Sequence, residues 1–277
     1  GYRPDAFLAA YPDGRIAGIP YKVAVEPEAR GTAGAIRFAA LEMELNEPFL
    51  VLNGDVLTDL DIGALLSFHQ EREAEATIAL QAVADPSRFG VVTTSDDGRV
   101  REFIEKPPAN SSPSNTINAG TYVLNPSVIA RIPDTRPVSI ERETFPKMAL
   151  AETLFALESD TYWLDTGTPK QFLEANLDVL HGRRRAKPEL PVAAVDATAQ
   201  VEDSVIGTGS HIDAEAVIQR SVLFNDCRVS RGATIIDSVL SENVYVGEGA
   251  TIEGSVIGLD ERIEAGSQIV DQSRPAP

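Results

Sequence analysis

Ser238-Val239-Leu240-Ser241-Glu242-Asn243-Val244-Tyr245-Val246-Gly247-Glu248-Gly249-Ala250-Thr251-Ile252-Glu253-Gly254 is one turn of a pattern with a period of 17 residues. Working outward, one apolar column reads Val195, Ile212, Val229, Val246, Ile263 and a second Val201, Ile218, Ile235, Ile252, Ile269. A third reads Ile206, Leu223, Leu240, Ile257, and a fourth is Ser204, Ser221, Ser238, Ser255, each followed by Val. Three short β runs per period, none able to bury a face alone, describe a three-sided coil stacked on copies of itself. The array is expected to fill residues 192–277.

Before it lies Gly182-Arg183-Arg184-Arg185-Ala186-Lys187-Pro188, part of an expected linker, 182–191, read as a solvated hinge. Residues 1–181 alternate apolar strands with helical stretches. The strands are Lys22 to Val25, Phe49 to Leu52, Thr77 to Val83 and Thr121 to Leu124, with a hairpin from Gly90 to Thr93 and Val100 to Ile104. Helices are expected over Gly34 to Leu45 and Ile62 to Ala74. Such alternation predicts an α/β domain with a mainly parallel sheet, whose ligands bind at the C-terminal strand ends.

Lys and Arg number 24 against 42 Asp and Glu, a net charge of -18. A surface this acidic repels phosphate backbones and anionic lipid, which argues against nucleic-acid or membrane partners. A phosphorylated small ligand would need local cations, backbone N–H groups or a metal. The single cysteine, Cys227, excludes an internal disulfide framework, and no apolar run or leader suggests a membrane span, so a cytoplasmic location is expected.

Two strands end in a carboxylate. Phe49 to Leu52 runs into Asn53-Gly54-Asp55, and Tyr162-Trp163-Leu164 into Asp165-Thr166-Gly167-Thr168-Pro169. Two carboxylates converging on one Mg²⁺ is the economical reading, since Mg²⁺ takes one or two protein carboxylates and completes its shell with water and phosphate oxygens. A turn at Asp55 and a helix N-cap at Asp165 are the plainer readings. Glu105-Lys106-Pro107 sets an acceptor for sugar hydroxyls beside a cation for phosphate, against the plainer reading of a surface ion pair. Glu26-Pro27-Glu28-Ala29-Arg30-Gly31-Thr32-Ala33-Gly34 is a small-residue loop entering a helix, a place where anions are favoured.

In this order, with Phe89-Gly90-Val91-Val92, Asn118-Ala119-Gly120 and Trp163 to Lys170, the motifs resemble the sugar 1-phosphate nucleotidyltransferases over residues 1–180. The C-terminal array resembles the hexapeptide-repeat family, which implies a left-handed parallel β-helix. The combination looks most like the mannose-1-phosphate guanylyltransferase branch, with glucose-1-phosphate thymidylyltransferases close behind. The resemblance implies Mg²⁺ on Asp55 and Asp165, and Glu26, Gly31, Thr32 and Gly54 along the nucleotide. It implies Gly90, Glu105, Asn118 and Gly120 at the sugar and Lys106 on its phosphate. The implied partners are a nucleoside triphosphate, GTP favoured, a sugar 1-phosphate, and a second copy through the β-helix.

The family's opening Gly-x-Gly-Thr-Arg loop, which cradles the triphosphate, has no counterpart after Gly1-Tyr2-Arg3-Pro4. The expectation is a partial sequence, lacking the first β-α-β unit and with little turnover by itself. Two other readings remain open: a non-catalytic regulatory paralogue that binds sugar nucleotide, and a hexapeptide acyltransferase built on His211.

Overall fold

The computed structural model describes residues 4–108, 111–184 and 193–275. They fall into two compact units, residues 1–54 with 60–161, and 55–59 with 162–277. Contacts therefore divide the chain elsewhere than at residue 181: Asp55 to Asp59 and everything from Tyr162 onward belong with the repeat array.

In the first unit the elements are α1 (Pro4–Ala10), the short ribbon β1 (Arg15–Ile16) and β2 (Ile19–Pro20), α2 (Gly31–Glu42) and β3 (Phe49–Leu52). After β4 (Val56–Thr58), which belongs to the second unit, come α3 (Ile62–Glu71), β5 (Ala76–Ala82), β6 (Gly90–Thr94), β7 (Val100–Glu105) and β8 (Thr116–Leu124). A π-helical turn (Ile140–Thr144), α4 (Phe145–Leu150) and β9 (Leu154–Ser159) complete it. Tyr122, Phe145, Leu65, Ile78, Leu124, Met148 and Leu154 are fully buried in its core. Burying each such side chain stabilises by about 1.5–3 kcal/mol.

The sheet is mixed rather than mainly parallel. The strand–helix rhythm does set β3 and β5 in one direction, and β9, a strand the alternation did not mark, pairs β5 in parallel. However, β8 inserts antiparallel between β3 and β5, and β6–β7 is an antiparallel hairpin. Neither insertion leaves a mark on the alternation, because β8 arrives from a loop. Lys22 to Val25 forms no strand; this extended run lines an apolar groove with Phe7, Pro20, Ala39 and Met43.

Buried His69 ties α3 to the sheet. Asn125 Nδ2 donates to the Ala74 carbonyl (2.8 Å), so Asn125 Oδ1 faces His69 Nε2 (3.2 Å), which donates, while Nδ1 accepts from Thr77 Oγ1 (2.9 Å). Burial lowers the imidazole below its ordinary 6.5, with the Asn125 bond opposing. As pH falls, the unfolded chain takes up this proton before the folded one. The contribution of neutral His69 is thus present above pH 6.5 and lost as pH falls through the lowered folded value. Urea midpoints between about pH 7 and pH 5 should fall more steeply for the native protein than for His69→Gln; parallel slopes would refute this.

The second unit carries three five-stranded parallel sheets in which every strand pairs with the one 17 residues later, as Ile218↔Ile235↔Ile252. This five-turn parallel solenoid has the architecture expected of a left-handed β-helix. Ile212, Ile218, Ile235, Leu240, Val246, Ile252, Ile257 and Ile263 face inward and are buried. Val195 and Val201, in the first coil, stay exposed because among the described residues that coil is stacked on one side only.

The serine column is a hydrogen-bond ladder. Ser238 Oγ donates to the Ile236 carbonyl (2.7 Å) and accepts from the Ser255 N–H (3.1 Å), and Ser221 and Ser255 do the same one coil away. Ser238→Ala would leave the buried Ser255 N–H without a partner and should lower stability by about 1–3 kcal/mol. Thermal denaturation reads this; an unchanged midpoint would argue against it.

Valines after the serines face outward, where α5 (Pro169–Leu180) covers them: Leu173 and Leu177 pack on Val222 and Val239, with Phe172 and Val205 alongside. Phe172 stacks on Phe224 at 5.9 Å. Most of the expected linker, residues 185–191, lies outside the described residues. At its start exposed Arg183 pairs with Asp178 (2.6 Å) and half-buried Arg184 with Asp59 (2.7 Å). Among the described residues no helix is long and apolar enough to cross a membrane.

Candidate functional site

The second unit holds both strand-end carboxylates. The strands β4 and β10 (Trp163–Asp165) pair antiparallel, with Asp165 opposite Val56. The Thr166 N–H (2.7 Å) and Oγ1 (2.9 Å) both donate to the Asp55 carbonyl. Gly167 N–H donates to Asp165 Oδ1 at 2.8 Å. A Cβ on Gly167 would sit 2.9 Å from Asp165 Oδ1 and 3.5 Å from Asp55 Oδ2, so the two carboxylates converge on one small volume. Asp55 is exposed and Asp165 half-buried. The helix cap is Thr168, whose Oγ1 accepts from the Gln171 N–H, and not Asp165. The donor set is two hard carboxylates, a set suited to Mg²⁺ with water and phosphate oxygens. Among the described residues no group of three or more His, Cys, Asp or Glu side chains could hold a metal.

The first unit holds the glutamate–lysine pair. Gly90 lies opposite Glu105, and a Cβ on it would meet Glu105 Oε2 at 2.9 Å and the Phe103 ring at 2.8 Å. Only glycine lets that carboxylate lie across the strand. Burial, then the Glu141 charge, raises Glu105 above the usual carboxylate range, with Lys106 and Arg142 opposing. Lys106 has φ 51°, a left-handed conformation costly for lysine, while its N–H donates to the Phe89 carbonyl (2.9 Å). Its Nζ is 4.0 Å from Glu105 Oε1, a loose pair that leaves the lysine side chain 60% exposed. The pair lines a cleft with Phe103, Pro146, Glu141 and Arg142.

Asn118 and Gly120 sit inside β8 rather than before it. The register between β5 and β8 shifts there, forming a bulge with Gly120 at φ 74°. Asn118 Oδ1 accepts from the Gly120 N–H (3.0 Å) and Nδ2 donates to Tyr122 Oη (2.9 Å). Both ends of the amide are engaged within the protein. A Cβ on Gly120 would collide with Asn53 Nδ2 at 2.7 Å, so the glycine brings β3 and the bulge together. Gly54 has open space around it.

At the α2 loop, Gly31 has φ 73° and a Cβ there would strike the Val138 carbonyl at 2.6 Å. That carbonyl accepts from the Ala33 N–H (3.0 Å), so part of the helix terminus is occupied by the chain itself and not offered to an anion. Thr32 Oγ1 donates to Glu141 Oε2 (2.7 Å) and accepts from the Ile140 N–H (2.9 Å). Thr32 therefore straps α2 to the π-helical turn. Glu26 Oε1 and Arg30 Nε are buried with no hydrogen-bond partner.

A profile of the nucleotidyl transferase family matches residues 2–182. The chain belongs to that family. A GlmU-like C-terminal hexapeptide profile matches residues 191–274. Mannose-1-phosphate guanyltransferase of Yarrowia lipolytica is 39% identical over 193 residues, covering 68% of the chain and 52% of the relative. Mannose-1-phosphate guanylyltransferase of Mycobacterium tuberculosis is 39% identical over 184 residues (65% and 50%). The catalytic subunit beta of the Danio rerio enzyme is 42% identical over 174 residues (62% and 48%). The chain spans about half the length of these curated relatives.

Sequence reasoning passed over Glu141, Arg142 and the partnerless Nε of Arg30. Glu141 and Arg142 join the cleft only through a π-helical turn, which no periodicity announces. His211, the acyltransferase candidate, is exposed, with Nδ1 on its neighbour's carbonyl, Gly209 O (3.0 Å).

Proposed function

We propose that the whole protein transfers GMP from GTP to mannose 1-phosphate, forming GDP-mannose and pyrophosphate. The observation that carries this reading is the convergence of Asp55 and Asp165 on one small volume. A phosphate oxygen of the sugar 1-phosphate forms the new bond to the α-phosphorus, and the bond from that phosphorus to the β-phosphate oxygen breaks. The nucleophile is already an anion, so neither a base nor a covalent intermediate is required.

Asp55 and Asp165 would hold Mg²⁺, which when bound neutralises charge on the phosphate oxygens. Lys106 binds the sugar phosphate as a point charge, and Glu105 accepts from sugar hydroxyls. Alignment of two mutually repelling anions is the chief demand, and a half-buried carboxylate and a backbone-strained lysine are suited to it.

Guanine is favoured over thymine by the partnerless Oε1 of Glu26. The guanine edge offers two adjacent N–H donors to a carboxylate, whereas thymine offers one donor between two carbonyls. The assay is pyrophosphate release by the whole protein with mannose 1-phosphate, Mg²⁺ and either GTP or dTTP. GTP should be preferred, and Glu26→Gln should cut that preference by about tenfold or more. A dTTP preference would replace this reading with the thymidylyltransferase one. The solenoid is proposed as a self-association surface, and the unpaired buried thiol of Cys227 suits a reducing, cytoplasmic setting.

A further inference from the structure

The ribbon carrying both carboxylates is only three residues long on each side, pairing Trp163↔Thr58, Leu164↔Leu57 and Asp165↔Val56. A two-stranded ribbon of this size is marginal by itself, and a one-residue slip turns every side chain to the opposite face. A slip of β10 would therefore turn Asp165 away from Asp55. At the carboxylate end the register is held by Thr166 on the Asp55 carbonyl. The other end needs its own clamp.

That clamp is built around Arg184. Its Nη2 donates to the Thr58 carbonyl (3.0 Å) and to Asp59 Oδ1 (2.7 Å), and its Nε donates to the same oxygen (3.1 Å). The guanidinium lies 5.7 Å from the centre of the Tyr162 ring, and Tyr162 Oη donates to Asp178 Oδ2 (2.9 Å) on α5. Asp178 is itself gripped by Arg183 (2.6 Å). Asp59 and Arg184 are both largely buried, at 9% and 17% side-chain exposure, so the pair is shielded from solvent screening. Asp59 N–H donates to the Tyr162 carbonyl (2.9 Å), which closes the ribbon where Arg184 grips it.

We propose that Arg184 is a positioning residue: by clamping the Thr58–Asp59 end of the ribbon, it holds Asp55 and Asp165 in the register at which they converge. This rests on the proposed metal role of that pair. A planar fork that reaches a carbonyl and a carboxylate together is a task for arginine, and lysine reproduces only part of it.

Mn²⁺ binding to the whole protein, followed by water-proton relaxation, tests this without turnover. Arg184→Met should weaken Mn²⁺ binding by about tenfold or more, as removal of outer-shell support does elsewhere. Arg184→Lys should recover part of the loss, which keeps the test available should the Met variant fold poorly. Leu177→Ala, a packing change at the α5–solenoid contact, should lower the thermal midpoint with Mn²⁺ affinity unchanged. Native affinity in Arg184→Met would overturn the proposal, as would equal losses in Arg184→Met and Leu177→Ala. Asp55→Asn separates the two layers: if it binds Mn²⁺ as the native protein does, the metal reading itself fails.

Discussion

Asp55→Asn and Asp165→Asn are each expected to lower GDP-mannose formation by the whole protein about 10²- to 10³-fold, the usual effect of removing one preorganised electrostatic group. Asparagine keeps the shape and removes the charge, so the β4–β10 pairing should survive. Asp55 is exposed, and its backbone carbonyl, not its side chain, receives Thr166. The thermal midpoint of Asp55→Asn should stay close to native. Asp165 also accepts from the Gly167 N–H, so its variant should lose slightly more stability. Because the two carboxylates are proposed to act on one ion, the double variant should be little worse than either single one. Multiplying losses, or near-native turnover in either single variant, would dismantle the paired-carboxylate reading.

Ile235→Ala should cost about 3–4 kcal/mol, the middle of the range for buried aliphatic truncations. Ile235 is fully buried at the middle of its column, with Ile218 below and Ile252 above, and coils on either side cannot collapse into the gap without breaking their pairing. Solenoid stability is a sum over neighbouring repeats, so the damage should be concentrated in the adjoining coils. Amide hydrogen exchange should accelerate over residues 217–253, with the sheet of the first unit little changed. Uniform acceleration through residues 76–124 would show that the two units unfold together.

Much of the array was readable because its physics is local in register. Each inward position repeats 17 residues on, so the same residue type recurs wherever the same environment recurs. The outward valines after each serine were also visible, though their meaning was not: they receive α5, and a covering helix leaves no trace in the columns it covers. The opposite holds for β8. Asn118-Ala119-Gly120 looked like the entry to a strand, whereas it is a bulge within one, because a bulge depends on the partner's register and not on the residues alone. Gly90 illustrates a third case. The motif offered it only as a position at the sugar, and its particular use, making room for Glu105, exists only once β6 and β7 pair.

By itself the sequence determined the repeat architecture, the shared direction of β3 and β5, and the residue types gathered at the strand ends, since periodicity and strand-end chemistry are properties of the chain. Only the tertiary structure decided that β8 runs antiparallel through the sheet, that Asp55 and Asp165 converge, and that Arg184 grips the ribbon bearing them. Those outcomes depend on pairing between segments from tens to more than a hundred residues apart, and a register between distant strands is chosen by packing and hydrogen bonding across the fold, which no local pattern encodes.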